Sequence, residues 1–228
     1  MPPDDISAAS PISPETIRST LYSAVLSDVL DQLGLFKQAM RPFIRPLDEA
    51  SVLFGRARTG LYMPVYHVAE GENPYDLEIA LIDDLKPGDV AVIACGGPTD
   101  RIAPWGELLS TASACRGAAG CVTDGLVRDV RKIRDMRFPV FHGGIGPLDS
   151  RGRAKMMEMD VPIECGGVLV CPGDCIFGDV DGVVVIPAAR EREVIRGALE
   201  KVVSETNTRQ ELLEGRLLRE VYERHGVL

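Results

Sequence analysis

Apolar residues near the N-terminus follow a helical spacing. They occupy every fourth position from Ile17 to Leu33, which keeps them on one face of a helix. Ser13 followed by Pro14 is typical of a capped helix start, and Gly34 is a typical end. The pattern predicts one helix over this stretch.

The middle of the chain changes to short apolar runs that are typical of buried strands. Strand, loop, helix and strand over residues 119–142 form a βαβ unit, which predicts a parallel strand pair. In chain order, the predicted elements are β-rich stretches over 51–68, a strand over 90–94 after the turn 85–89, a helix over 106–116, a strand over 119–123, a helix ending near Met136, a strand over 139–142, two strands within 168–187 around the turn 178–182, and helices over 188–205 and 210–224.

These elements predict an α/β fold with strands in the middle and helices at both ends. A chain of 228 residues can bury one sizeable core, so we expect a single domain over residues 15–228. The acidic, proline-containing stretch 1–14 precedes any periodicity. We expect it to be a mobile arm.

Composition excludes several function classes. The formal charge of −9 repels phosphate backbones, and no basic strip offsets it, so we expect no nucleic-acid partner. The chain has no apolar run long enough for a membrane span and no signal-like N-terminus, which predicts a cytoplasmic protein without a membrane partner. The six cysteines show no CxxC pair, and we expect them to be small core residues in a reducing compartment.

Two carboxylates and a guanidinium follow the predicted strand 119–123, in the run Asp124-Gly-Leu-Val-Arg128-Asp129. The carboxyl ends of strands in open α/β sheets are common ligand sites. One aspartate plus substrate oxygens suffices for Mg²⁺, and an adjacent arginine can bind a carboxylate. The alternative is that Asp124 caps the next helix while Arg128 and Asp129 pair on its surface.

A second cluster, Trp105-Gly106-Glu107-Leu108-Leu109, opens the predicted helix 106–116. Free backbone N–H groups at a helix start favour a bound carboxylate, and Glu107 would add an acid if the two loops meet. The alternative is that Glu107 is a surface residue that complements the helix dipole.

Four further residues have two interpretations each. His142, at the end of a predicted strand, could donate a proton to a ligand or be satisfied by neighbouring backbone. Arg151, Arg153 and Lys155 could hold the distal carboxylate of a dicarboxylic substrate or lie on a surface loop.

The order and spacing of several segments resemble the class II 4-hydroxy-4-methyl-2-oxoglutarate aldolases, a family that also contains the RraA-type regulators of ribonuclease E. The matching segments are Ser27–Gly34, the turn Pro87-Gly-Asp-Val90, Trp105–Leu109, Asp124–Asp129 and Gly178–Pro187. The resemblance covers roughly residues 15–225. It implies a layered fold similar to the phosphohistidine swivelling domain, assembled as homotrimers or homohexamers with active sites between subunits.

The resemblance also implies roles for individual residues. Asp129 matches a direct ligand of Mg²⁺ (or Mn²⁺), and Arg128 matches the residue that binds substrate and stabilises charge. Glu107 matches an acid that holds metal-bound water. Glu205 matches a water-holding acid from the neighbouring subunit. The amides of the helix start, at Gly106, Leu108 and Leu109, match the cradle for the carboxylate of a 2-oxo acid.

The implied activity is a metal-dependent lyase that releases pyruvate from 4-hydroxy-4-methyl-2-oxoglutarate-type substrates, decarboxylates oxaloacetate, or both. The regulators tend to lack the acid that stands here as Asp129, which favours the enzyme. The run Phe141–Pro147 departs from the Ala-Arg-Gly type of the family. A non-catalytic ribonuclease regulator and a lyase or dehydratase of sugar-derived acids therefore stay as alternatives.

Overall fold

One sheet of eight strands forms the centre of the computed structural model, which describes residues 12–226. The predicted arm 1–14 lies almost entirely outside these residues. The strands are β1 Arg45–Pro46, β2 Leu53–Pro64, β3 Asp89–Ala94, β4 Gly120–Val127, β5 Val140–Ile145, β6 Ala154–Met159, β7 Ile163–Cys165, β8 Val168–Val170, β9 Cys175–Asp179 and β10 Gly182–Ile186. The sheet order is β1-β5-β4-β3-β2-β9-β10, and β6 also pairs with β2, whereas β7 and β8 pair with each other in a separate two-stranded sheet.

Helices cover the sheet and extend the chain at both ends. A single 3₁₀ turn, Ala188–Arg190, precedes the longest helix. None of the helices in the described part of the chain is long and apolar enough to cross a membrane. The helices are α1 Pro14–Thr20, α2 Ser23–Gln32, α3 Asp76–Asp84, α4 Glu107–Cys115, α5 Val130–Met136, α6 Glu191–Leu213 and α7 Leu218–His225.

Strands β2, β3, β4 and β5 are parallel, and antiparallel strands flank them. The predicted βαβ unit is confirmed, since β4 pairs in parallel with β5 through Val122 and Phe141. The sheet nearly closes on itself because Met40 donates a backbone hydrogen bond to Val183 of β10, while β1 pairs with β5. The predicted α/β architecture is therefore confirmed, with a barrel-like sheet.

Strand β3 is buried on both faces, which explains its continuous apolar sequence. Val90 and Val92 face one hydrophobic cluster inside the curved sheet, and Ala91 and Ile93 face another beneath α3, α4 and α5. A third cluster joins α1, α2 and α6 to the outer side of β9 and β10. The cluster beneath α3, α4 and α5 positions the candidate site, because it packs these helices against the sheet.

The predicted first helix is two helices. Ser13 caps α1 as expected, accepting a hydrogen bond from the backbone of Thr16. Leu21 then has an extended backbone, and α2 begins at Ser23. The apolar stripe persists because Leu21 stays buried in the same cluster as the residues before and after it.

Other boundaries also differ from the prediction. Strands β4 and β5 run several residues further than expected, and Val168–Pro187 holds three strands instead of two. Helix α3 and strands β6 and β7 were not predicted. The apolar residues of α3 are largely consecutive, at 79–82, and do not follow a helical spacing, and β6 and β7 are only six and three residues long. The expectation that all six cysteines are core residues is wrong for Cys115, which is exposed.

Candidate active site

The two predicted clusters meet at the carboxyl end of β4. Trp105 forms a parallel β-bridge with Val127, and the backbone N–H of Arg128 donates to the carbonyl oxygen of Trp105 over 3.0 Å. The backbone N–H of Glu107, two residues after Trp105, donates to Oδ2 of Asp129, the residue after Arg128, over 3.2 Å. The start of α4 therefore lies directly against the loop that leads from β4 into α5.

Asp129 has a left-handed backbone, with φ 58° and ψ 29°, immediately before α5. This conformation is uncommon for residues other than glycine, and such residues cluster at functional sites. The Asp129 side chain makes no capping hydrogen bond to α5 and is 45% exposed. Its carboxylate therefore faces the start of α4 and the adjoining cavity.

Gly106 allows this close approach. A Cβ atom added at residue 106 would lie 2.8 Å from Oδ2 of Asp129 and 3.1 Å from Cγ of Arg128. The backbone of Gly106 is extended, so the need for glycine comes from the neighbouring side chains and not from its own dihedral angles.

Arg128 lies between two carboxylates. Its guanidinium is 4.0 Å from Asp129 and 3.3 Å from Asp149. Asp149 also accepts a hydrogen bond from the hydroxyl of Tyr75. Burial raises the pKa of Asp149, but the Tyr75 hydrogen bond and the Arg128 charge outweigh burial, so the pKa lies below its usual value. The alternative of a simple surface pair between Arg128 and Asp129 is incomplete, since Asp149 is the nearer partner.

These groups surround a cavity of about 320 Å³. Leu108 and Leu109 line it at the first turn of α4, where backbone N–H groups have no partner within the helix. The remaining lining residues are Tyr75, Glu78, Ile79, Ala103, Pro104, Trp105, Gly106, Arg128, Asp129, Asp149 and Ser150. The cavity combines anion-binding amides, a guanidinium and carboxylates.

Two acids of this cavity were missed by the sequence analysis. Glu78 of α3 accepts a hydrogen bond from the hydroxyl of buried Tyr62. Burial raises the pKa of Glu78, and the charge of Asp149 adds to this effect. No local signal marks Glu78, because α3 itself was not recognised. Asp149 lies two residues before Arg151, in a loop whose basic residues were the only ones to suggest ligand binding from the sequence.

The sequence model of the RraA-like family, described as Aldolase/RraA, matches residues 23–185. The chain belongs to the RraA-like family. This confirms the resemblance drawn from the motifs of the sequence.

Individual relatives agree with this membership. A protein of Halalkalibacterium halodurans named "Putative 4-hydroxy-4-methyl-2-oxoglutarate aldolase" is 36% identical over 182 residues, which is 80% of each chain. A crystal structure of an uncharacterised Pseudomonas syringae protein has a TM-score of 0.78 at 26% identity, covering 93% of this chain and 99% of that one. The structure of Streptomyces coelicolor RraAS2, described as an unusual member of the RNase ES inhibitor RraA family, has a TM-score of 0.75 at 28% identity, covering 89% and 99%.

Two acids that the family resemblance implicates do not line the cavity. The carboxylate of Glu107 accepts a hydrogen bond from Thr111 and lies 3.8 Å from Lys132, at the rim. Glu205 of α6 accepts a hydrogen bond from Tyr22 and lies near Lys201. Within one chain, the structure therefore brings Glu107 beside the site and does not bring Glu205 to it.

Asp124 is buried and holds neighbouring backbone in place. It is buried within β4 and accepts backbone hydrogen bonds from Cys95 over 2.6 Å and Gly97 over 2.8 Å. Burial raises its pKa, and these hydrogen bonds oppose the rise. The expectation that Asp124 caps the next helix or shares the ligand site is wrong, because β4 continues past it to Val127.

The other candidates also lie away from the cavity lining. His142 is buried inside β5 and not at its end, and burial lowers its pKa. A backbone contact with Gly144 opposes this shift, as expected for a histidine that meets neighbouring backbone, although Nδ1 has no well-aligned hydrogen-bond partner among the described residues. Lys155 pairs with Glu72, and Arg153 donates to the backbone carbonyl of Asp149. Arg151 is exposed in a turn.

The donor set suits a hard cation with few protein ligands. The described residues contain no group of three His, Cys, Asp or Glu side chains that could enclose a metal ion. Asp129 offers a half-exposed carboxylate beside open cavity space. Mg²⁺ commonly keeps several waters and binds through one or two carboxylates. Asp129 therefore fits Mg²⁺ or Mn²⁺ better than it fits a zinc site of cysteine and histidine ligands.

Proposed function

We propose that this protein is a divalent-metal-dependent lyase that breaks the C3–C4 bond of a small 2-oxo acid and releases pyruvate. The observation that carries the proposal is the convergence of the α4 N-terminus, Arg128 and Asp129 on one cavity. The aldolase name of the Halalkalibacterium relative, at 36% identity, supports the same class of reaction.

The amides of Leu108 and Leu109 would bind the carboxylate of the 2-oxo acid, since both residues line the cavity at a helix start. Arg128, which faces the same space, would bind the substrate and stabilise the negative charge that develops as the bond breaks. Its contact with Asp149 holds the guanidinium in place. The reacting end of the substrate therefore lies between Arg128 and the first turn of α4.

Asp129 would hold Mg²⁺ or Mn²⁺ directly, and Glu107 would hold a water beside it. When bound, the cation supplies Lewis-acid chemistry at the keto acid. Glu107, at the cavity rim, would position that water for proton transfer to and from the substrate. The cavity lining contains no lysine, which gives no support to a Schiff-base aldolase among the described residues.

Two reactions share the enolate of pyruvate and are both proposed activities. Retro-aldol cleavage of 4-hydroxy-4-methyl-2-oxoglutarate-type acids breaks the C3–C4 bond and leaves the electron pair on C3. Decarboxylation of oxaloacetate breaks the corresponding bond to carbon dioxide. A site that stabilises this enolate therefore serves both substrates.

The deciding experiment measures pyruvate release from 4-hydroxy-4-methyl-2-oxoglutarate and oxaloacetate, with Mg²⁺ and with a chelator. We expect activity to require the metal and Asp129→Asn to reduce it more than ~100-fold, because several kcal/mol of transition-state stabilisation are lost. Asparagine tolerates the left-handed backbone of residue 129, so the substitution tests the carboxylate and not the fold. Asp135→Asn, on exposed α5 surface, is the matched control. Activity that survives both chelation and Asp129→Asn contradicts the proposal.

We also propose a homotrimer or homohexamer in which Glu205 reaches the site of a neighbouring subunit. Within its own chain, Glu205 contacts Tyr22 and Lys201 on the α6 side. Mixing inactive Asp129→Asn and Glu205→Gln subunits tests this arrangement, since mixed oligomers would contain some sites with both native acids. Recovered activity supports donation across subunits, and none argues against it.

A ribonuclease regulator is the second candidate, favoured by the structural similarity to RraAS2. It predicts binding to a ribonuclease without pyruvate release from any 2-oxo acid. An exposed carboxylate beside an anion-binding helix start is not needed for that role, so the geometry favours the lyase.

A further inference from the structure

The cavity lining carries an excess of negative charge. Glu78, Asp129 and Asp149 line it, and Arg128 is the single basic residue among the described lining residues. Arg128 is already shared between Asp129 and Asp149. A divalent cation at Asp129 would offset only part of this charge. Asp149 contacts Nη2 of Arg128, whereas Asp129 is nearest to Nε, so the two carboxylates approach the guanidinium at different nitrogens.

Three basic side chains near the cavity, Arg101, Arg153 and Lys155, are engaged elsewhere, and Arg151 is exposed in a turn and does not line the cavity. The guanidinium of Arg101 donates to the carbonyl oxygens of Arg153 and Val65. Arg153 donates to a backbone carbonyl, and Lys155 pairs with Glu72. None of these cations lines the cavity. A distal carboxylate of a substrate would therefore find no cation other than Arg128 among the described residues that line the cavity.

Glu78 and Asp149 both act as hydrogen-bond acceptors in the cavity lining. The hydroxyl of Tyr62 donates to Glu78, and that of Tyr75 donates to Asp149. Each tyrosine proton is thus already used, and each carboxylate keeps further lone pairs for a ligand. A substrate hydroxyl can donate to these oxygens, whereas a substrate carboxylate has no proton to donate and repels them.

We infer that Glu78 and Asp149 select 2-oxo acids whose distal end carries hydroxyl groups over those that carry a second carboxylate. The inference rests on the proposed function for the reacting end and assigns the substrate class of the same site. It favours a monocarboxylic, polyhydroxylated 2-oxo acid, the class that sugar-derived acids supply. Dicarboxylic acids such as 4-hydroxy-4-methyl-2-oxoglutarate are then the poorer substrates.

The simplest reaction of this class is cleavage of 4,5-dihydroxy-2-oxopentanoate. The O4 hydroxyl loses its proton, the C3–C4 bond breaks, and its electron pair passes to C3. C4 becomes the aldehyde carbon of glycolaldehyde, and protonation of C3 gives pyruvate. The two products contain all the atoms of the substrate, and no oxidant or reductant is needed.

Selectivity is tested first by binding, which needs no turnover. The two ligands are 5-hydroxy-2-oxopentanoate and 2-oxoglutarate, which differ at C5 and lack the 4-hydroxyl needed for cleavage. Calorimetry with Mg²⁺ should show the hydroxyl ligand binding at least about tenfold more tightly, the factor that 1.4 kcal/mol produces. Equal or tighter binding of 2-oxoglutarate, or no binding of the hydroxyl ligand, overturns the inference.

Variants of Glu78 and Asp149 test whether these two acids cause the selectivity. Glu78→Gln and Asp149→Asn should each reduce the preference several-fold, mainly by strengthening 2-oxoglutarate binding. Glu223→Gln removes the same charge from the exposed surface of α7 and should leave the preference unchanged. An unchanged preference in both cavity variants overturns the assignment to these residues.

Turnover separates this inference from the proposed function. Pyruvate release should be faster from 4,5-dihydroxy-2-oxopentanoate than from 4-hydroxy-2-oxoglutarate, which differ only in the group at C5. If the hydroxyl ligand binds preferentially but no substrate yields pyruvate, the lyase proposal fails and the selectivity stands. If pyruvate forms but dicarboxylic acids bind and react better, the selectivity fails and the lyase stands.

Discussion

The backbone N–H of Glu107 donates a hydrogen bond to the Asp129 carboxylate over 3.2 Å, although the two residues are 22 positions apart. This contact joins the N-terminus of α4 to the loop that follows β4. It also orients the carboxylate that we propose as the metal ligand.

Gly106→Ala should lower kcat/KM by tenfold or more while changing the melting temperature little. The added Cβ would meet side-chain atoms of Asp129 and Arg128, which can move aside at low cost to stability but at high cost to site geometry. The matched control is Gly55→Ala, whose Cβ would lie 2.2 Å from the carbonyl oxygen of Gly88 and should destabilise the fold. Full activity in Gly106→Ala would show that this packing is not needed.

Arg128→Lys should reduce kcat about 100-fold, even though it keeps the positive charge. A lysine cannot present the planar set of donors with which a guanidinium contacts Asp149 and a substrate together. Steady-state kinetics of pyruvate release measure the effect, with Arg131→Lys on exposed α5 surface as the control. Wild-type kcat in Arg128→Lys would remove Arg128 from the charge-stabilising role.

Asp124→Asn should destabilise the protein by about 1–3 kcal/mol, because a buried backbone N–H loses its acceptor. Asp124 accepts hydrogen bonds from Cys95 and Gly97, and an asparagine presents only one acceptor oxygen. Urea unfolding gives the free energy, and exposed Asp135→Asn provides the comparison. A variant as stable as wild type would be inconsistent with this structural role.

Glu78→Gln should stabilise the protein more at pH 7 than at pH 4. The pKa of Glu78 is raised in the folded state, first by burial and also by the charge of Asp149. Its contribution to stability is therefore complete below the pKa of the unfolded chain and is lost as the pH rises through the raised folded pKa. Glutamine does not ionise and can still accept from Tyr62. Unfolding free energies at both pH values measure the effect, and a pH-independent difference would contradict the prediction.

Local signals in the sequence were sufficient for much of the fold. Ser13 before Pro14 marked a helix start, and the Pro87-Gly-Asp turn marked the start of β3, both as found. The carboxyl-end rule for parallel strands pointed to the loop that holds Arg128 and Asp129, and the structure brings the start of α4 to it. These features succeed because caps, tight turns and parallel crossovers depend on a few neighbouring residues.

Features that depend on distant packing were harder to predict. Asp124 and Asp129 belong to one short motif, yet one is buried inside β4 and the other is half-exposed beside the cavity. Their separation follows from where β4 ends, which pairing with β5 decides. The break at Leu21 is also invisible in a stripe that stays apolar throughout.

The order of residues was enough to establish the family and the α/β class, and it pointed to the acid, the arginine and the helix start that line the cavity together. The other acids of the cavity lining depended on folding in three dimensions. Glu78 comes from a helix with weak periodicity and Asp149 from an irregular loop, and neither is near the motifs in sequence. A cavity is formed by side chains from segments far apart in the chain, so its charge balance is set only when tertiary packing brings those segments together.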